Sequence, residues 1–125
     1  MDTMKLYLDD IRPAPDGWVR TRTAQETIAI LKEGEVTEIS LDHDLGEGDV
    51  GTGYDPLLWI EKAVHAGTLP IIPLIHIHTA NPVAGSRMAQ AVRQINMERA
   101  NQRVETALEH IGRFMDPFEG WIEEE

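Results

Sequence analysis

The residues able to do chemistry gather at three places: Asp9-Asp10, then Asp42-His43-Asp44, then His76, His78, Thr79 and Asn81. Each group closes a short apolar run: Lys5-Leu6-Tyr7-Leu8, Ile39-Ser40-Leu41 and Leu74-Ile75-His76-Ile77. Charge at the end of a core strand is costly unless it is paired or bound to a metal. Several carboxylates brought together cannot all stay ionised without a counter-charge, and an oxygen site for magnesium or manganese supplies one. Asp9, Asp10 and Asp42 are therefore the expected metal ligands. His43, His78 and Asp44 are the expected catalytic groups, because an imidazole moves protons near neutral pH. His76 lies deeper in its run and reads as a core histidine with a polar partner. Arg12, Thr79, Asn81 and Arg87 are the expected phosphate contacts. The free N–H groups at a helix start favour anions, and a guanidinium can grip a phosphate with two hydrogen bonds.

Three groups so distant in sequence meet only if the fold brings strand ends to one edge, as a parallel sheet does. The residue pattern predicts strands over 5–8, 18–21, 38–42 and 74–79. Thr23, with Glu26 three residues on, predicts a capped helix from Ala24 that stops at Gly34. Residues 46–53 hold Gly46, Gly48, Gly51 and Gly53 and read as loop. Asp55 with Pro56 predicts the start of a helix running to Ala66, with Leu57, Ile60 and Val64 inward and Gly67 as its stop. Asn81 and Pro82 predict a further helix with Val83, Met88, Val92 and Ile95 inward. Val104, Leu108, Ile111 and Met115 predict another, with a soft boundary over 99–103 and with Phe118 and Trp121 beyond it. That last stripe is expected to pack on its own sheet.

Strands alternating with helices indicate a parallel α/β sheet, here in the order 2-1-3-4. The link between the first two strands holds Pro13, Pro15 and Gly17, and is too short for the usual crossover helix. In such sheets ligands bind beyond the carboxyl ends of the strands. One domain over 1–125 is expected, with a core over about 4–99 and a helical extension over about 102–125.

Composition narrows the chemistry. The 125-residue chain has no cysteine, which excludes thiolate metal sites, disulfides and cysteine nucleophiles. A net charge of -11 disfavours general binding to duplex nucleic acid, but not a small phosphate held through a cation. No apolar run approaches a membrane span and the amino end lacks a signal-peptide pattern, so a cytoplasmic location is expected. The terminal Glu123-Glu124-Glu125 run reads as a frayed tail.

Leu8-Asp9-Asp10, Leu41-Asp42 and Thr79, each closing a strand, resemble the two-component receiver domain. A divergent branch, the cyclic-phosphate-processing receiver-like domains, is the closer resemblance. It rests on Leu8-Asp9-Asp10-Ile11-Arg12-Pro13, Gly17-Trp18 with Arg22-Thr23, Ser40-Leu41-Asp42-His43-Asp44-Leu45-Gly46, Gly53-Tyr54-Asp55 and His76-Ile77-His78-Thr79-Ala80-Asn81-Pro82. It implies a flavodoxin-like three-layer sandwich, here with a reduced sheet that lacks the first crossover helix and the fifth strand. It also implies a metal-dependent site acting on a cyclic phosphate of a nucleotide or RNA end, in RNA repair or phage–host conflict. Receivers carry a lysine on the fifth strand that contacts the phosphoryl group. The lysines here are Lys5, Lys32 and Lys62, all before Thr79. Phosphorelay through Asp42 is therefore disfavoured, and whether Asp42 or Asp44 matches the phosphoacceptor stays open.

Two functions follow. The first is a phosphoesterase in which Asp9, Asp10 and Asp42 hold magnesium or manganese and His43 or His78 moves protons. The alternative is a non-enzymatic receiver that binds a phosphorylated ligand or a protein, with a second copy of the chain as a candidate partner through the C-terminal helix.

Overall fold

Alternation along each strand decides which residues become core. In β1 (Met4–Leu8), Leu6 and Leu8 are fully buried while Lys5 between Met4 and Leu6 is exposed. β3 (Val36–Leu41) buries Ile39 and Leu41 on the same side, and β4 (Leu74–Ile77) turns Ile75 and Ile77 toward it and leaves Leu74 and His76 exposed. The computed structural model describes residues 3–112. Its four strands, with β2 (Val19–Thr21) at one edge, follow the order β2-β1-β3-β4, and every neighbouring pair is parallel. Order and direction agree with the sequence reading. β4 stops at Ile77, so His78 and Thr79 lie just past its end, although His78 N–H still donates to Leu41 O at 3.0 Å.

The helices cover the face that carries Leu6, Leu8, Ile39 and Leu41. α1 (Ala24–Leu31) starts as expected: Glu26 N–H donates to Thr23 Oγ1 at 3.1 Å, and Glu26 Oε1 accepts from Arg22 N–H at 3.2 Å. α2 (Tyr54–Ala66) packs Leu57, Ile60 and Val64 inward and ends at Gly67, whose φ of 71° is the left-handed cap that glycine favours. Asp55 is not the cap residue. Gly53 holds that position, and Asp55, inside the first turn, accepts from Thr52 N–H at 3.0 Å.

α3 (Pro82–Gly112) departs most from expectation. Asn81 caps it, with Oδ1 accepting from Ala84 N–H at 3.1 Å. Its buried residues are Ala84, Met88, Ala91 and Ile95, while Val83 is 71% exposed and Val92 only partly buried. The inward stripe begins one residue later than predicted because Pro82 and Val83 sit at the open first turn. No break occurs over 99–103. The Arg99 guanidinium donates to Pro73 O at 2.8 Å and Gln102 to Val64 O at 2.7 Å, which pins the helix where a boundary was expected. Residues 104–111 then hold no glycine or proline to stop it. Its 31 residues span about 46 Å, against about 13 Å for the four of β4, so the helix must project past the sheet. Val104 and Leu108 are accordingly 57% and 60% exposed and do not pack on their own sheet. Met115, Phe118 and Trp121 lie outside the described residues.

Among the described residues, α1, α2 and α3 all pack on one side of the reduced parallel sheet, as in a reduced receiver-like α/β fold. The sheet face bearing Lys5, Tyr7, Glu38, Ser40 and His76 carries no helix. The short proline-containing link lays Trp18 across that face instead, its ring 6.3 Å from Tyr7 and 6.4 Å from His76. Without a covering helix, His76 is 54% exposed and not a core histidine; it lies 3.0 Å from Glu38 Oε2. Glu38 in turn holds a carboxyl below the ordinary value, through His76 first and Lys5 beside it, against a smaller opposing effect of burial.

Candidate metal centre and adjoining cleft

β1, β3 and β4 end side by side at the carboxyl edge, and their end residues converge. Asp9 is 1% exposed. Its Oδ1 accepts from the backbone N–H groups of Ile11 and Arg12, both at 2.8 Å, as the chain turns away from β1. Its Oδ2 lies 3.1 Å from His78 Nε2 and 3.9 Å from the Arg12 guanidinium. Burial pushes the Asp9 carboxyl up. The two backbone donors and His78 outweigh this, and the net pKa is lowered.

His78 is held from three sides. Its Nδ1 is 2.7 Å from Ser40 Oγ, its ring stacks on Tyr7 at 4.3 Å with 4° between planes, and its carbonyl accepts from Arg12 at 2.9 Å. Ser40 pairs with Tyr7 in register, so the helix-free face itself forms the seat for the imidazole. Sequence reasoning assigned no role to Ser40 or Tyr7. The available signal was alternation, which puts both on the face shared by His76 and His78.

One oxygen each from Asp9 and Asp42 and one nitrogen from His78 all lie within 4.8 Å of one another. This donor set fits a divalent cation, because the imidazole and carboxylates offer lone pairs to a common point. Asp10 is not in the group. Its Oδ2 faces the Gly46 turn, 3.3 Å from where a Cβ at Gly46 would stand, and His78 takes the third position.

Asp42 starts the turn out of β3, and its Oδ1 accepts from the next N–H, that of His43, at 2.8 Å. His43 Nδ1 then lies 2.7 Å from Asp44 Oδ1. Gly53 N–H donates to His43 O, and a bridge between Asp44 and Thr52 folds the glycine loop back onto this turn. A side chain at Gly53 would overlap the Asp42 carbonyl, so only glycine lets α2 start so close to the site.

His43 also lines a cleft of about 380 Å³ with Thr52, Tyr54, Asn81, Val83, Ala84 and Arg87. The Arg87 guanidinium lies over the Tyr54 ring at 5.3 Å. Asn81 uses Oδ1 as the helix cap, which leaves its amide N–H groups for a ligand. Thr79 Oγ1 accepts from Asn81 N–H at 3.1 Å, and its own proton stays available. Larger clefts lie between the middle of α3 and either the last turns of α2 or the loop after it, and involve none of these residues. Among the described residues, no helix is long and apolar enough to cross a membrane.

No curated protein and no solved structure matches the chain significantly. The family described as the cyclic-phosphate processing receiver domain matches residues 4–94, which takes in every strand, α1, α2 and the site above. The reduced parallel sheet and the acidic ends of β1 and β3 agree with that match, and the chain belongs to the cyclic-phosphate processing receiver domain family.

Proposed function

We propose that this domain is a metal-dependent phosphoesterase that opens a cyclic phosphodiester of a nucleotide or RNA end to a monoester. The observation that carries the reading is the meeting of Asp9, Asp42 and His78 at the ends of three adjacent strands, next to the His43–Asp44 pair. A bound magnesium or manganese ion would polarise the phosphate and lower the pKa of an attacking water. Asp9 and Asp42 would hold that cation.

Asp44 accepts the Nδ1 proton of His43 and orients the ring, which leaves Nε2 for the substrate. His43 takes a proton from water as the new P–O bond forms. It returns that proton to the ring oxygen released when the old P–O bond breaks, giving a monoester and a free hydroxyl. Arg87, the Asn81 amide and the Thr79 hydroxyl line or border the cleft and hold phosphate oxygens, while Arg12 stands beside Asp9. In a chain of net charge -11, these cations and the metal are what draw an anion to this edge.

The test is to incubate the protein with manganese or magnesium and a panel of 2′,3′- and 3′,5′-cyclic nucleotides and RNA ends bearing a 2′,3′-cyclic phosphate. Monoester formation, read by ³¹P resonance, is expected for at least one substrate. A panel left intact, with the protein merely stabilised by a ligand, would instead support a binding module.

A further inference from the structure

We propose that the Asp9–Asp42–His78 site selects a transition metal of the manganese-to-zinc kind over magnesium, through direct ligation by His78 Nε2. The proposal rests on the metal-dependent reading above and names the metal class of that site.

The donor set is the first reason. Three aspartates would make an all-oxygen site, which suits magnesium with its waters. Asp10 faces the Gly46 turn and an imidazole nitrogen stands in its place. Imidazole suits zinc, iron and nickel, and manganese accepts both donor types, whereas magnesium strongly prefers oxygen. The spacing is the second reason. Two ligands each about 2.1 Å from one metal, at right angles, stand about 3.0 Å apart. His78 Nε2 and Asp9 Oδ2 are already 3.1 Å apart.

The support of the ring is the third reason. Metal-bound histidines usually engage their other nitrogen in a hydrogen bond that fixes the tautomer. Ser40 Oγ occupies that place at 2.7 Å from Nδ1 and is nearly buried. A hydroxyl both donates and accepts. It can therefore donate to Nδ1 while Nε2–H faces Asp9, and accept from Nδ1–H once Nε2 gives its lone pair to a metal. Tyr7, stacked on the ring, fixes its plane. With His78 so engaged, proton transfer falls to His43.

The experiment loads metal-free protein with Mn²⁺ and records pulsed electron spin resonance without substrate. A directly bonded ¹⁴N coupling is expected in the wild type, retained in His76→Gln and His43→Gln, and lost in His78→Gln together with at least ~10-fold of Mn²⁺ affinity. Manganese and zinc are expected to raise the melting temperature at concentrations where magnesium does not. Absence of nitrogen coupling in wild-type protein, which needs no variant to fold, overturns the proposal. Equal stabilisation by magnesium overturns it as well. Turnover supported by magnesium without nitrogen coupling would remove this inference and leave the phosphoesterase. Coupling without turnover on any cyclic phosphate would do the reverse.

Discussion

His78 Nε2 lies 3.1 Å from Asp9 Oδ2, although 69 residues separate them and a whole strand lies between theirs. The imidazole spans that gap by lying flat on the helix-free face, over Ser40 of β3 and against Tyr7 of β1. The absent crossover helix is what leaves room for it there. The helix-free face thus places one imidazole nitrogen beside two carboxylates at the strand ends.

If Ser40 orients His78, replacing it should weaken metal binding more than it weakens the fold. Ser40→Ala removes one hydrogen bond, which should lower stability by about 1 kcal/mol. Metal affinity should fall by about 10- to 100-fold, the usual effect of losing an outer partner. Mn²⁺ titration set beside urea unfolding separates the two.

The lowered pKa of Asp9 gives a pH dependence with a definite sign. A carboxyl with a folded pKa below its ordinary value of 3.8 stabilises the fold when ionised. That contribution is complete above the unfolded value and disappears as pH falls through the folded one. In metal-free protein, wild type should therefore exceed Asp9→Asn in stability at neutral pH. The gap should close only below about pH 4, near the ordinary carboxylate pKa. Urea midpoints measured from pH 7 to pH 2 give the curve.

Gly53 should tolerate no side chain, for a steric rather than a conformational reason. Its φ of -62° suits any residue, but a Cβ would overlap the Asp42 carbonyl and come within 3.2 Å of Met88 Cε. Gly53→Ala should cost about 2–3 kcal/mol. Gly85→Ala is the contrast, since its Cβ meets only Thr79 Cγ2 at 3.3 Å within a helix that alanine favours by about 1 kcal/mol. It should stay within about 1 kcal/mol of wild type. Denaturant unfolding reads both.

Arg87 should act on binding rather than on the chemical step. Its guanidinium rests on Tyr54 and lines the cleft, outside the Asp9–Asp42–His78 group. Arg87→Gln should raise KM about tenfold, some 1.4 kcal/mol, with kcat little changed. Steady-state kinetics on the best cyclic phosphate provides the measurement.

The exposed stripe on α3 should contribute little to the domain's own stability. Replacing Val104 and Leu108 with serine should change the unfolding free energy by no more than about 0.5 kcal/mol each. A loss of several kcal/mol would restore the expected packing on the sheet. A midpoint that rises with protein concentration in wild type, and not in the double variant, would identify pairing between copies.

The sequence by itself determined the sheet. Alternation in Leu6–Leu8 and Ile39–Leu41 named the buried face, and the short link after Asp10 excluded a crossover helix. The caps at Thr23 and Asn81 were legible because capping is a local exchange of hydrogen bonds within three residues. Tertiary structure alone decided three things. It brought His78 rather than Asp10 to Asp9 and Asp42, it exposed His76, and it carried α3 past the sheet with Val104 and Leu108 uncovered. Periodicity reports which residues share a face, not whether anything covers that face. Which side chains meet across β1, β3 and β4 depends on register and on the missing helix, and these are properties of the assembled layers rather than of any one segment.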